Sequence, residues 1–274
     1  MNIKNISIQR WYGRLGNNII QVKNGLTIAY HYNCNLIIPS HRLFTKRYIV
    51  INSSINEKDK PHLINSESEQ FFYQNKIKIQ GERVDVSLFT KYHDKVIETM
   101  KRIFRITSQQ SLKEDDLVIH IRSGDIFNNK RPHRSYVPPP LWYYQKIIES
   151  YPFQRIYLIA EDRVNPCINA LLERYQNIQW KRRTLEEDIQ IIMNARHIVM
   201  SIGTFIPQLT SLSTNCHRMY RPMYNPQEQS TNTNKDIPTI NLSKYHAQMY
   251  PWKNTQEQRK RMMNYHGNEM DIHI

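Results

Sequence analysis

Short apolar runs alternate with longer segments of helical periodicity along most of the chain. This alternation predicts βαβ units and a mainly parallel sheet. In the first third of the chain, we predict strands at residues 3–9 and 35–39 and helices at residues 17–32 and 90–105.

A second set of elements follows. The predicted strands are residues 117–122, 155–160 and 197–201; the predicted helices are residues 138–151, two that begin near 165 and 184, one from 204, and a short basic one at 255–264. Two helix starts have clear sequence signals. Asn165 is a plausible N-cap with Pro166 at the first helical position, and Thr184-Leu185-Glu186-Glu187 has the pattern of a capping box.

These two sets predict an α/β protein with two Rossmann-like domains that face a cleft. Residues 52–76 read as a polar insertion, and the polar segment 108–116 marks the domain boundary. We expect an N-terminal domain at 1–110 and a second domain at 111–224. Residues 225–274 would form a tail that crosses back to the first domain.

Composition narrows the class of protein. Of the 274 residues 39% are hydrophobic, which is enough for a core, and no run of 18 apolar residues predicts a membrane span. The N-terminal residues lack the apolar core of a signal peptide. Cys34, Cys167 and Cys216 lie far apart, as expected of reduced thiols, so we expect a cytoplasmic protein.

The net charge of +14 favours a polyanion, an acidic membrane surface or a phosphorylated substrate as partner. Basic residues are scattered and form no reader motif, so the sequence does not favour nucleic acid. A polyanion-binding module and peripheral membrane contact stay open.

Glycines give the first indication of a site. The chain has only 7, and Gly13, Gly16, Gly124 and Gly203 fall in three short segments that follow predicted strands. In open α/β sheets, ligands bind beyond the carboxyl ends of the strands, and glycine lets a backbone approach a ligand closely. Ordinary tight turns are the open alternative.

Strand alternation puts His120 and Arg122 on one face at a strand end. Arginine presents a planar donor fork to phosphate oxygens. The alternative role for Arg122 is an ion pair with Asp125. Asp125 is also our candidate general base. Gly203 and Thr204 at a helix start predict an anion site of backbone N–H groups, or else an ordinary N-cap.

Carboxylates complete the candidate set. Glu161 and Asp162 end a predicted strand, where they can accept hydrogen bonds from a base or ribose or cap the next helix. Asp188 lies in the first turn of a helix, where its alternative role is to stabilise the helix dipole.

Four segments, in this order, resemble the motifs of the α1,2-, α1,6- and protein O-fucosyltransferase superfamily. They are Gly13-Arg14-Leu15-Gly16-Asn17-Asn18-Ile19-Ile20-Gln21, His120-Ile121-Arg122-Ser123-Gly124-Asp125, Ala160-Glu161-Asp162, and Asp188 with Ser201-Ile202-Gly203-Thr204-Phe205. The resemblance implies a GT-B-type fold, with residues 1–110 as the acceptor-side domain and residues 111–224 as the nucleotide-sugar-binding domain. It also implies an inverting transfer, without metal or other cofactor, from a nucleotide-sugar to a glycan hydroxyl.

The resemblance also implies roles for residues. Arg122 would bind the β-phosphate, and Thr204 and Phe205 would contact the phosphates. Asp162 would hold the base or ribose, and Asn17 would lie beside the sugar and the leaving phosphate. The remaining candidates for substrate binding are Arg14, Gly16, Asn18, His120, Glu161, Asp188, Ser201 and Gly203.

The chain departs from the family pattern at two places. Many members have a second arginine where this chain has Ser123, and an aromatic pair is replaced by Pro207-Gln208. Fucose from GDP-fucose is the expected donor chemistry, with GDP favoured over UDP. Another GDP- or UDP-sugar such as one of xylose or galactose, and a non-catalytic nucleotide-sugar-binding protein, stay open.

Overall fold

The computed structural model describes residues 3–56, 71–79, 82–128, 131–225 and 237–273. The chain divides into two compact units, Met1–Thr107 with Pro207–Leu212 and Ser108–Ile206 with Ser213–Ile274. Strands and helices alternate in chain order and include a parallel sheet, so the α/β prediction is confirmed. Most of the predicted insertion at 52–76 falls on 57–70, outside the described residues.

The first unit is built on a βαβ unit. Its elements are β1 (Asn5–Ser7), α1 (Leu15–Tyr32), β2 (Asn35–Ile37), β3 (Tyr48–Ile49), β4 (Lys78–Ile79), β5 (Glu82–Arg83), α2 (Ser87–Lys91) and α3 (His93–Ile103). Strands β1 and β2 pair parallel, β3 pairs antiparallel with β2, and β4 and β5 pair with each other. Helix α1 ends at Tyr32, and the left-handed conformation of the cap residue Asn33 (φ +51°) lets the Cys34 N–H bond to the carbonyl of Ala29 at 3.0 Å.

The second unit contains a larger sheet. Its elements are β6 (Asp116–His120), α4 (Asp125–Asn128), α5 (Leu141–Glu149), β7 (Arg155–Ile159), α6 (Pro166–Arg174), β8 (Ile178–Trp180), α7 (Leu185–Asn194), β9 (His197–Val199), α8 (Phe205–Leu212), β10 (Arg218–Met223), β11 (Thr239–Asn241), α9 (Ser243–Met249), α10 (Gln256–Asn264) and β12 (Ile272–His273). Helix α8 begins in this unit, and its residues from Pro207 onward are grouped with the first. The predicted N-cap at Asn165 and the capping box at Thr184 are both confirmed.

Six strands of this sheet are parallel and follow the Rossmann order. From one edge the order is β8-β7-β6-β9-β10-β11, and β12 pairs antiparallel outside β11. The chain leaves β6 toward β7 on one side and leaves β9 toward β10 on the other. Neighbouring strands whose connections diverge in this way create a crevice at their carboxyl ends, where α/β sheets bind ligands.

The C-terminal residues differ from their prediction. We expected residues 225–274 to cross back to the first domain, but their described part belongs to the second unit, where β11 and β12 extend the sheet. The physical reason is the burial of apolar surface, because side chains of this segment pack into the hydrophobic core that also contains the buried side chains of α5 and α6. They are Ile240, Leu242, Tyr245, Met249, Trp252 and Met262. The polar stretch at 226–236 lies outside the described residues.

Alternation along β6 decides which side chains reach each face of the sheet. Leu117, Ile119 and Ile121 point into the core shared with α5, α6 and α10. His120 points to the opposite face, where its ring lies 5.6 Å from that of Phe205 at the start of α8. The loops after β6 and β9 therefore meet on the α8 side of the sheet.

Candidate functional site

Arg122 lies two residues beyond the end of β6, at the crevice between β6 and β9. Its Nε and Nη2 donate to the two carboxylate oxygens of Asp125, at 3.3 and 2.8 Å. The Arg122 side chain is 17% exposed, and its Cζ lies over the Tyr136 ring, 4.3 Å from the centroid. One edge and one face of the guanidinium are thus occupied by the protein.

Nη1 is the remaining corner of the guanidinium, and it lies against Gly203. A Cβ built on Gly203 would sit 2.7 Å from Nη1, and the Gly203 φ of +101° is one that other residues rarely adopt. Among the described residues, Nη1 has no hydrogen-bond partner. A glycine is therefore required on two grounds, and it lets the cation approach the turn that begins α8.

His120 contributes no charge to this site. Burial, followed by the nearby positive charge of Arg122, lowers the pKa of His120 to about 3. Its Nδ1 is buried and has no hydrogen-bond partner among the described groups. Because the imidazole is neutral at physiological pH, Arg122 supplies the positive charge.

Asp162 holds the loop that carries Arg122. Its carboxylate accepts from the Ser123 hydroxyl, the Gly124 N–H (3.3 Å), Asn128 Nδ2 (3.3 Å) and the Val164 N–H (3.1 Å). Burial acts to raise the pKa of Asp162, but these hydrogen bonds outweigh it and keep the pKa below its ordinary value. The ionised carboxylate is engaged by its own loops, which favours a scaffold role over the expected contact with a base or ribose.

Ser123 and Asn165 complete this scaffold. Ser123 is buried, and its oxygen accepts from the Asn165 N–H at 3.0 Å. The Asn165 side chain caps α6 through the Cys167 N–H and donates to the carbonyl of Arg122, both at 3.0 Å. Sequence reasoning identified the cap but missed this second role.

Two further candidates have distinct surroundings. Glu161 is exposed, and its side chain crosses Gly124 (φ +51°) so closely that a Cβ there would overlap the carboxylate. Ser201 is buried and accepts from the Tyr144 hydroxyl at 3.3 Å, so its side chain is committed to the core.

Asp188 lies in the first turn of α7, which begins at the same carboxyl edge of the sheet as the Arg122 loop. Its side chain lies 3.8 Å from Arg183, which is 4% exposed. Burial raises the pKa of Asp188 to about 6, although the Arg183 charge acts in the opposite direction. Among the described contacts, none joins Asp188 to Arg122 or Gly203.

The first glycine loop lies in the other unit. Helix α1 begins at Leu15 with Arg14 as the N-cap residue, so the prediction that the helix begins at Asn17 is wrong, and Asn17 lies inside it. The prediction that Gly16 is in the loop is also wrong, because Gly16 is buried within α1. Gly13 (φ +71°) is the turn residue, and the Asn17 side chain lies directly over it.

Side chains of α1 hold the backbone of this loop. Asn18 Nδ2 donates to the Tyr12 carbonyl at 3.2 Å. Gln21 accepts from the Tyr12 N–H at 2.8 Å and donates to the Arg10 carbonyl at 3.3 Å. Asn18 and Gln21 are buried, so these amides satisfy the loop rather than face solvent.

The second unit therefore brings together Arg122, Asp125, His120 and Gly203 with the start of α8, while Arg14, Gly16, Asn17 and Asn18 belong to the first unit. Within the described part of the chain, no three His, Cys, Asp or Glu side chains are grouped to hold a metal ion. No helix among the described residues is long and apolar enough to cross a membrane.

No family model and no curated protein matches the sequence. In structure, the chain is similar to E. coli heptosyltransferase WaaC with ADP-2-deoxy-2-fluoro heptose, at 10% identity and TM-score 0.39, over 85% of this chain and 91% of that one. It is also similar to POFUT1 in complex with GDP-fucose, at 14% identity and TM-score 0.41, over 77% and 92%. At identities and TM-scores this low, the likeness does not indicate what this chain binds or transfers.

Proposed function

We propose that the protein is a glycosyltransferase that holds the diphosphate of a nucleotide-sugar between Arg122 and the start of α8. One observation carries this proposal. The unpartnered Nη1 of Arg122 lies against Gly203, at the crevice of a sheet with Rossmann strand order. A fixed cation beside a helix N-terminus suits a bound diphosphate.

The same groups suit the chemistry of transfer. Negative charge builds on the leaving diphosphate as the glycosidic bond to it breaks, and preorganised donors stabilise that charge. Arg122 supplies a permanent positive charge, and the first turn of α8 supplies backbone N–H groups. Positive charge at this position lowers the barrier for departure of the nucleotide.

Asp125 has a different role in this proposal from that of a general base. Both of its oxygens accept from Arg122, so proton abstraction would require the carboxylate to leave that ion pair. We assign Asp125 to orienting the guanidinium. Glu161, which is exposed in the loop after β7, is our candidate for a ribose contact.

The finer identity rests on the four ordered motifs in the sequence. They support an inverting transfer of fucose from GDP-fucose to a glycan hydroxyl, without a metal requirement. We propose GDP over UDP as the nucleotide, and Asn17 as a contact of the sugar or leaving phosphate.

A thermal-shift panel tests the proposal. Purified protein is melted with GDP, UDP, ADP or CMP in the presence of EDTA, and with heparin as a polyanion. We expect GDP to raise the melting temperature, since a ligand at about 100 times its Kd stabilises by roughly 2.7 kcal/mol. Stabilisation by heparin alone, or a strict need for Mn²⁺ or Mg²⁺, would contradict it. Turnover of GDP-fucose with a glycan acceptor then separates an enzyme from a silent binding protein.

A further inference from the structure

Arg122 needs more than one support to present Nη1 reproducibly. A free arginine side chain samples many rotamers, and fixing it costs conformational free energy. Asp125 holds the Nε and Nη2 edge, but an ion pair on one edge leaves the guanidinium able to tilt about that edge. The second support in the structure is the Tyr136 ring, 4.3 Å from Cζ.

The segment that carries Tyr136 is itself firmly held. The Tyr136 N–H donates to the His133 carbonyl at 3.0 Å, which closes a turn. The next two carbonyls, of Val137 and Pro138, each accept from a tyrosine hydroxyl at 2.9 Å, from Tyr224 and Tyr245 respectively. Residues 137–140 are buried, so the ring stands on a rigid base.

The ring, rather than the hydroxyl, makes the connection to Arg122. Among the described residues, the Tyr136 hydroxyl has no hydrogen-bond partner, whereas a cation over an aromatic face is attracted to the ring itself. The interaction therefore needs an aromatic side chain and does not need its oxygen.

We propose that Tyr136 is a positioning residue of the donor site, which holds the Arg122 guanidinium so that Nη1 faces Gly203. This inference rests on the proposed function, because positioning matters only where Arg122 meets a phosphate. It assigns a role to the segment 131–136, which none of the four sequence motifs includes.

The test compares Tyr136→Phe with Tyr136→Leu. In ¹⁵N-labelled protein without nucleotide, the Arg122 Nε–Hε resonance is assigned by its loss in Arg122→Lys. We expect a ring-current shift of this resonance in the wild type and in Tyr136→Phe, and its loss in Tyr136→Leu. The comparison depends only on the ring, so it does not require the protein to bind any nucleotide.

GDP binding gives the second readout. We expect Tyr136→Phe to bind within about twofold of wild type, and Tyr136→Leu to bind roughly 3- to 30-fold more weakly, the range of a cation–π contact. The matched control is Tyr157→Leu, which removes a tyrosine that Arg155 covers at 5.8 Å on β7. If Tyr136→Leu does not fold, Tyr136→Met replaces it.

Equal GDP affinity in Tyr136→Phe and Tyr136→Leu, in protein whose wild type binds GDP, would overturn the positioning role. So would an Arg122 resonance that does not respond to loss of the ring. A wild type that binds neither GDP nor UDP would instead remove the proposed function, and the resonance would still report whether the ring holds Arg122.

Discussion

The Gly13 loop and the Arg122 loop look alike in sequence, because each follows a parallel strand and turns on a glycine with positive φ. They differ in how far the surrounding side chains satisfy the hydrogen-bonding groups of the loop. In the Gly13 loop, the amides of Asn18 and Gln21 bond to the loop backbone. In the Arg122 loop, Asp162 and Asn165 hold the backbone, and one corner of the Arg122 guanidinium stays without a partner.

The difference separates a loop that is stabilised from a loop that is also equipped to bind. A glycine after a strand predicts only the backbone geometry. Binding capacity comes from a donor that the scaffold positions but does not satisfy. By that criterion the second loop is the stronger site, and the mutations below test this ranking.

Removing the unsatisfied cation should have the largest effect. We expect Arg122→Ala to lower turnover by roughly 10²-fold or more, as loss of a preorganised charge-stabilising donor does. Arg122→Lys should restore part of it, because a point charge does not reproduce the planar fork. Steady-state kinetics with GDP-fucose measure both variants.

The control for this prediction is Arg155→Ala, which removes an exposed arginine that lies near a tyrosine ring in the same unit. Its turnover and melting temperature should stay close to wild type. Near-normal turnover in Arg122→Ala would show that the ion pair of Arg122 with Asp125 is purely structural.

The next effect concerns pH and Asp188. Its folded-state pKa of about 6 lies above the ordinary 3.8, so the folded protein keeps a proton that the unfolded chain has lost between these values. The stability from this carboxyl is therefore complete below pH 3.8 and is lost as the pH rises through 6. We expect the stability of wild type relative to Asp188→Asn to fall by about 2 to 3 kcal/mol across this window.

Urea unfolding at several pH values measures this difference. The attraction of Arg183 is already included in the pKa of Asp188, and the packing difference between a protonated carboxyl and an amide does not vary with pH, so the slope is the informative quantity. A difference that stays constant from pH 4 to 7 would show that Asp188 keeps an ordinary pKa.

The loop that is already satisfied should respond in stability rather than in binding. Gln21→Ala removes the hydrogen bonds of Gln21 to the Tyr12 N–H and the Arg10 carbonyl, and we expect a loss of about 1 to 3 kcal/mol of unfolding free energy. The Kd for GDP should not change. Gln179→Ala, at an exposed position on β8, is the control and should be neutral. A lower affinity for GDP in Gln21→Ala would show that the Gly13 loop also contributes to nucleotide binding.

The smallest effect should come from Asn17, the side chain in the first turn of α1 that we propose to contact the substrate. We expect Asn17→Ala to lower kcat roughly tenfold, about one net hydrogen bond, with little change in KM. Asn18→Ala should instead lower the melting temperature, because Asn18 holds the Tyr12 carbonyl. A raised KM with unchanged kcat in Asn17→Ala would make it a uniform binding contact.

Much of the second unit could be predicted from the sequence, because its signals are local. Apolar runs located β6, β7 and β9, and the caps at Asn165 and Thr184 identified the starts of α6 and α7. Strand β8 at one edge of the sheet and strands β10 to β12 toward the other edge escaped prediction. Most are two or three residues long with mixed polarity, so their existence depends on the neighbouring strand rather than on their own pattern.

The site was predictable in part for the same reason. Arg122 and Gly203 follow strands, so their meeting could be expected from the sheet. The contact with Tyr136 could not, because it joins a strand end to a proline-rich loop that has no periodicity. The roles of Asp125 and Asp162 also depended on which donors reached their oxygens.

The burial of Ser123 limits how this protein can change by single mutations. The side chain is 1% exposed and bonds to both Asp162 and Asn165, so an arginine at this position would have no room and would disrupt both contacts. A second cation could arise more easily in the segment 131–135, where every residue except the buried Pro132 is exposed and which already carries Arg131 and Arg134. Variants with higher affinity for a diphosphate should therefore arise in that segment, while the motif itself stays fixed.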